Sequence, residues 1–441
     1  MIRSFDARRL GIEAVVAALA RPPERVPSEI HAAVDDIVRT VRERGDDALV
    51  DYTARFDRFD AGSMTALAIT REEMAATERA ASAELRAALA YAAARIERYH
   101  TAAAPRSWRT TDEHGSVLGQ EVRPLDRVGL YIPGGRAAYP STVLMTAIPA
   151  RVAGVREIVL VTPPSAEGRI EPTVLAAASV AGVTEGYRIG GAHAVAALAY
   201  GTKTIRRVDK IVGPGNIYVA LAKRRVFGDV GIDMVAGPSE VLVVADAGAP
   251  PEWIAADLLA QAEHDPMARA VVVSESSDVL AAVEAALARQ LAALPRRAIA
   301  GEALETNGAL ILVGDLGDAI DVANRLAPEH LELLVRDPRA LLPRVRHAGA
   351  VFLGGHTPEV VGDYVAGPNH VLPTGGTARF SSPLSTDDFV KRSSIIEYSR
   401  AGLEAALPHL RALTRVEGLA GHGAAAELRL PTPDSDGGHR A

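Results

Sequence analysis

The sequence predicts an α/β fold of two doubly wound parallel-sheet domains, framed by a helical N-terminal arm and a helical C-terminal tail. Three observations carry that prediction. Residues 28–100 repeat apolar positions at helical spacing; from about 127, short β-branched runs (VGLYIP, EIVLVTP, GYRIGG, DKIVGP) alternate with alanine-rich helical stretches; and a second such series follows in SEVLVVAD, ARAVVVSES, ALILVG, HLELLV and AGAVFLGG. Strands separated by helices form a parallel sheet covered on both faces, so each series reads as one Rossmann-like domain.

In chain order, residues 1–120 are expected to form the helical region, with apolar residues three and four apart through PSEIHAAVDDIVRTVRERGDDALVDYTARF and a capping box at Thr70 and Glu73. The first sheet domain spans 121–238 and the second 239–380, with the junction near GPSE at 237–240. Residues 381–441 return to helix and loop, and the terminal DSDGGHRA reads as frayed.

At 441 residues and 48% hydrophobic content the chain can bury more than one core. A net charge of −7 offers no basic stripe to a phosphate backbone, which argues against nucleic acid as a partner and for a small-molecule substrate. No stretch approaches the roughly 20 apolar residues that cross a bilayer, so a cytoplasmic protein with no membrane partner is expected. The chain has no cysteine. That removes thiolate ligands and thiol nucleophiles together, leaving N and O atoms for any metal and no thioester route for any aldehyde. The G-x-G-x-x-G fingerprint is also absent: Gly213/Gly215 and Gly421/Gly423 have its first spacing, but neither has glycine at the sixth position.

Four constellations could carry chemistry. In LLAQAEHD, Gln261 and His264 lie three apart on one helix face and could share a metal, although for these two alone a histidine favouring a helix C-terminus is the better explanation. In LAPEHLELLV, Glu329 and His330 enter a strand from a loop; such a pair can divide proton-transfer work, and an exposed polar dipeptide is the plainer alternative. The loop GDYVAGPNHVLPTGGTARFSSPLS gathers Asp363, Asn369 and His370, where Asx turns are the competing explanation. Glu417 and His422 lie in a helical C-terminal piece that a solvated face would also explain. Taken together, Gln261, His264, Asp363 and His422 make an N/O set suited to Zn2+. The glycine turns in VGLYIPGGRAAYPSTVLM and KIVGPGNIYVALAK suit phosphate at helix N-termini, or simply tight turns.

The motifs YIPGGRAAYPSTVLM, IGGA, KIVGPGN, DMVAGPSE, LLAQAEHD, NRLAPEHLEL, GDYVAGPNHVLPTGGTARFSSPLS and EGLAGH resemble the histidinol dehydrogenase family in order and spacing, over roughly residues 20–425. The resemblance implies an aldehyde/histidinol dehydrogenase-like arrangement, with NAD on the first sheet domain and the metal and catalytic groups on the second. It implies one Zn2+ per subunit held by Gln261, His264, Asp363 and His422, and Glu329 and His330 as the acid–base pair. Ser239, His330, His370 and Glu417, with the ligand set, would contact substrate. Tyr131 and Asn216 would contact NAD, as would His193, which replaces the glutamine usual after IGGA; a neutral imidazole offers one donor and one acceptor in place of the amide. A homodimer is also implied, each C-terminal tail reaching the partner's active site.

The implied reaction is oxidation of L-histidinol through the aldehyde to L-histidine with two NAD+, the last steps of histidine biosynthesis. Rivals are a related dehydrogenase of another diol or amino alcohol, a zinc hydrolase using Glu329 and water, and a non-catalytic binding protein of doubly wound type.

Overall fold

The computed structural model describes residues 2–20, 26–134, 138–235 and 237–430. Part of the first glycine turn, residues 135–137, and the terminal DSDGGHRA lie outside the described residues. The chain forms two compact units, Met1–Ala104 with Leu125–Phe389, and Pro105–Pro124 with Val390–Ala441. Its strands are β1 (Arg3–Asp6), β2 (Ala68–Ile69), β3 (Trp108–Thr111), β4 (Val117–Pro124), β5 (Arg127–Tyr131), β6 (Glu157–Val161), β7 (Glu185–Tyr187), β8 (Lys210–Val212), β9 (Gly231–Ile232), β10 (Glu240–Ala245), β11 (Arg269–Ser274), β12 (Ala309–Leu312), β13 (His330–Leu334), β14 (Ala350–Leu353) and β15 (Val390–Glu397).

The first unit carries both expected doubly wound sheets, in the orders β2-β7-β6-β5-β8-β9 and β1-β12-β11-β10-β13-β14. Pairing is parallel throughout except between β2 and β7. Strands β5, β10, β11 and β13 are buried along their whole length, which is why they read as unbroken apolar runs. Alternate residues feed opposite cores: Val128 and Leu130 face one cluster and Tyr131 the other in the first sheet. Val241 and Val243 oppose Leu242 and Val244 in the second. Strand order reverses between β5 and β8 in one sheet and between β10 and β13 in the other, and such switch points leave crevices for ligands.

The framing regions differ from the sequence prediction. Residues 1–120 are not a helical domain: β1 adds to the second sheet beside β12, β2 adds to the first beside β7, and β3 and β4 belong to the second unit. A four-residue strand with the composition RSFD carries neither alternation nor an apolar run, and its partner lies some 300 residues away, so local pattern cannot reveal it. The helix Ser28–Arg44 does form, burying Val34, Ile37, Val38 and Val41 in the first-sheet core. At Thr70 the hydroxyl accepts the Glu73 N–H at 3.1 Å, while the Glu73 carboxylate pairs with Arg188.

Residues 381–441 are not all helix either. In the second unit β15 pairs antiparallel with β4, from Val390 opposite Pro124 to Glu397 opposite Val117, and β3 completes a three-stranded sheet. The helices Arg400–Val416 and Ala420–Glu427 follow it. Among the described residues, no helix is long and apolar enough to cross a membrane.

Candidate active site

The chain leaves the helix Leu316–Leu326 through Ala327, a non-glycine residue in the left-handed region (φ 49°), and turns into β13 at Pro328. That turn delivers Glu329 and His330 to the amino end of a central strand, 5% and 4% exposed. His330 Nδ1 lies 3.1 Å from the Glu240 carbonyl, which can only accept, so Nδ1 carries a hydrogen and the buried Nε2, which has no hydrogen-bond partner, is the nitrogen left to gain or lose a proton. The Glu240 N–H donates to Glu329 Oε2 at 2.9 Å. One residue at the start of β10 thus orients both members of the pair.

The third constellation splits. Asp363 sits not in a loop but in the short helix Glu359–Tyr364, whose four-residue spacing brings Glu359 and Asp363 to the same histidine. Glu359 Oε1 is 3.7 Å from His330 Nδ1, and Asp363 Oδ1 is 3.7 Å from Nε2, an ion-pair distance beyond hydrogen bonding. Burial works against a charge on His330, yet Glu359, Glu329 and Asp363 raise its pKa well above the usual imidazole value. Burial pushes Glu329 up to about 7 and Glu359 up to about 8. Asp363 would also rise on burial, but His330, His370 and His264 hold it below the usual carboxylate range. The cluster therefore exchanges protons near neutrality while keeping one carboxylate ionised.

His370 donates from Nδ1 to the Asp363 carbonyl at 3.1 Å, and its Nε2 lies 3.4 Å from the Thr142 hydroxyl, on the helix that follows β5. Asn369 is structural: its Oδ1 accepts the Val371 N–H at 2.9 Å in the expected Asx manner and its amide holds the Met145 carbonyl. Gln261 lies in the last turn of the helix Pro251–Ala262, buried, with Oε1 lacking a partner. His264 lies past that helix in a turn and is exposed, so one continuous helix face does not hold both. Ser239 immediately precedes β10, its carbonyl accepting the Arg269 N–H. Glu417 and His422 belong to the second unit, at the end of one exposed helix and within the next.

Glu240 and Glu359 were not singled out from sequence. Glu240 Oε1 accepts from the Gly375 N–H at 2.8 Å and Oε2 lies 3.4 Å from Arg269, fixing the loop beneath the pair. The i, i+4 spacing of Glu359 and Asp363 behind Pro358 was the available signal for Glu359. Among the described residues, the group of histidine and carboxylate side chains whose ligand atoms gather within 4.8 Å is His330, Glu359 and Asp363. Only Asp363 belongs to the expected ligand set.

A second cavity, of about 790 Å³, opens at the carboxyl ends of the first sheet and is lined in part by Tyr131, Pro133, Gly134, Gly191, His193 and Asn216. The Tyr131 hydroxyl accepts the Gly191 N–H at 3.0 Å, and burial pushes its pKa up to about 12. Asn216 caps the helix Ile217–Val226 through the Tyr218 and Val219 N–H groups. His193 is 1% exposed with neither ring nitrogen partnered.

Two doubly wound sheets, a crevice at a switch point and a buried Glu–His pair define an α/β protein equipped to bind a small ligand and transfer protons. The histidinol dehydrogenase family model matches residues 20–430, and the chain belongs to that family. Histidinol dehydrogenase from Chromobacterium violaceum is 54% identical over 95% of this chain and 96% of its own length, and that from Geobacillus kaustophilus is 55% identical over 94% and 97%. A crystal structure of the Elizabethkingia anophelis enzyme superposes with a TM-score of 0.92 at 35% identity, over 97% of this chain and 98% of that one.

Proposed function

We propose that the protein oxidises L-histidinol through L-histidinal to L-histidine in the cytoplasm, using two NAD+ and one bound Zn2+. The observation that carries this reading is the orientation of His330, whose Nδ1–H is held by the Glu240 carbonyl, whose Nε2 is left without a partner, and which lines a cavity of about 460 Å³ shared with Asp363 and His370. His330 Nε2 takes the alcohol proton in the first step. With no cysteine in the chain, the aldehyde is oxidised as its hydrate: as water adds, Glu329 takes a proton from it and His330 returns the proton it gained in the first step to the aldehyde oxygen, and His330, neutral again, takes a hydroxyl proton of the hydrate as the second hydride leaves. NAD+ is the hydride acceptor in each step. Tyr131, His193 and Asn216 would hold it in the crevice of the first sheet.

Zinc fits the donors present. Gln261 offers an orphaned buried oxygen and Asp363 an ionised one, with His264 close enough to influence it. The fourth ligand would be His422 from the tail of a second copy, with Glu417 beside it. When bound, zinc supplies a redox-inert positive anchor for the substrate's ring and amine. His370 and Ser239 would make the remaining substrate contacts. Dimerisation is supported by the apolar side chains that the second unit leaves uncovered, Val416 at 88%, Leu428 at 85% and Leu413 at 62% exposure.

The test is to count NADH formed per histidinol consumed. Two is expected; one would mean an alcohol dehydrogenase that stops at the aldehyde, and none would sink the reading.

A further inference from the structure

The turn from β8 into the helix Ile217–Val226 is held by two buried charges that the proposed chemistry does not use. Gly213 opens the turn at φ 111°, a conformation that favours glycine, and a Cβ there would meet the Tyr131 carbonyl oxygen at 2.2 Å. Side chains take both of its backbone groups. The Gly213 N–H donates to Asp233 Oδ2 at 2.8 Å, and the Gly213 carbonyl accepts from Lys223 Nζ at 2.9 Å. Lys223 and Asp233 are also paired with each other, their side chains 3% and 1% exposed. The lysine stands on the helix that this turn begins and reaches back to its start. The aspartate follows β9, and its own N–H donates to the Ile211 carbonyl on β8.

A buried ion pair adds little to stability beside apolar side chains of the same volume, because the cost of desolvating two charges offsets their attraction. What this one supplies is a fixed backbone at the wall of the first-sheet crevice. Asn216, at the end of the turn, lines the cavity of about 790 Å³. Tyr131, against which Gly213 packs, lines it as well, and its hydroxyl holds the Gly191 N–H at a further edge.

We propose that Lys223 and Asp233 are positioning residues for the cofactor: by clamping Gly213 against Tyr131 they hold the turn 213–216 in its binding shape before the dinucleotide arrives. The inference rests on the reading of that crevice as the NAD+ site. In that reading NAD+ enters and NADH leaves twice for each substrate. A turn that had to order at every entry would lose affinity each time, and a turn fixed in advance does not.

The experiment compares Lys223→Met with Asp233→Asn in the full chain supplied with Zn2+. Both break the ion pair and leave a buried group without its partner, so both should lower Tm. They differ at Gly213. The amide oxygen of Asp233→Asn still accepts the Gly213 N–H and leaves Lys223 on the carbonyl, whereas Lys223→Met frees the carbonyl. Lys223→Met should therefore raise Kd for NADH, followed by fluorescence, and KM for NAD+ about 10- to 100-fold, as for a lost hydrogen bond to a charged group. Its KM for histidinol and its kcat at saturating NAD+ should stay within about threefold, and Asp233→Asn should keep Kd for NADH within about threefold. Affinity that falls equally in the two variants would make the pair merely structural, and unchanged affinity in Lys223→Met would equally overturn the proposal. Should Lys223→Met not fold, the double variant Lys223→Met/Asp233→Asn carries the same expectation with no unpaired charge. Amide hydrogen exchange in the wild type decides should neither fold: the Gly213 N–H should be protected without cofactor and change less than about threefold with saturating NADH. A Gly213 N–H that exchanges freely until NADH binds would overturn the clamp. Wild-type protein that binds neither NAD+ nor NADH counts against the cofactor reading; normal wild-type binding with affinity unmoved in Lys223→Met counts against the clamp alone.

Discussion

The two sheets of the first unit are built alike and used at opposite ends. In the first, the cavity opens at the carboxyl ends: Tyr131 closes β5, Gly191 follows β7 and Asn216 follows β8. Helices begin there, and the partial positive charge of their N-termini suits the phosphates of a dinucleotide, although the Gly191, Tyr218 and Val219 N–H groups are already taken within the chain. In the second, the reacting groups stand at the amino ends: Glu240 begins β10, His330 begins β13, and Ala350 begins β14 at the cavity edge. Helices end there, at Ala262 just after Gln261 and at Leu326 just before the Glu–His pair. Helix C-termini favour cations. One architecture thus offers an anion-seeking end and a cation-seeking end, and the Thr142–His370 contact joins the helix after β5 to the cationic centre.

The largest effect expected at the cationic end is loss of a ligand. Asp363→Ala and His422→Ala should each be inactive, as should metal-stripped wild type until Zn2+ is restored. If the tail crosses to a partner, an equal mixture of the two variants pairs one doubly damaged site with one intact site in about half of the dimers, and roughly a quarter of wild-type activity returns. A mixture that has demonstrably exchanged subunits, is supplied with zinc and stays dead would place His422 outside the partner's site.

Next in size is the acid–base pair. His330→Asn should slow oxidation of both histidinol and histidinal by roughly 10^2 to 10^4, whereas Glu329→Gln should mainly impair histidinal oxidation. Because burial holds Glu329 near 7, its base form is lost as pH falls through that value. Histidinal oxidation by the wild type should therefore decline on the acid side with an apparent pKa of about 7 that belongs to the coupled pair, and Glu329→Gln should lack that limb. Equal loss on both substrates in Glu329→Gln would end the division of labour.

How much of this was legible in the sequence depends on how far each feature reaches along the chain. Central strands such as EVLVVA and HLELL announce themselves because both faces are buried, and Glu329 and His330 stand where a loop meets such a strand. The edges do not: RSFD pairs across the whole length of the chain, and VKRSSIIE, largely exposed, looks like tail until β4 lies beside it. Long motifs drew attention to Asp363 and His370, but placed Asp363 in a loop because GDYVAG is rich in loop formers, although Pro358 starts a helix six residues long before the glycine at 367.

The smallest effect separates the two ends most sharply. His193 stands in the first turn of the helix Gly191–Tyr200, its ring tilted against Tyr52 at 5.7 Å and Phe56 at 6.0 Å, and burial pushes its pKa down to about 3. It is therefore neutral at any working pH and adds no charge to an end suited to an anion; one donor and one acceptor are all it brings, and a glutamine amide brings the same kinds of bond. His193→Gln should alter KM for NAD+ by less than about tenfold, the worth of one hydrogen bond, and leave kcat within about twofold. NADH fluorescence titration should show the same small change in Kd, because binding at this end involves no proton transfer. A collapse of kcat with Kd preserved would mean that a histidine of the cofactor end takes part in the chemistry, and the assignment of binding to one sheet and proton transfer to the other would fail.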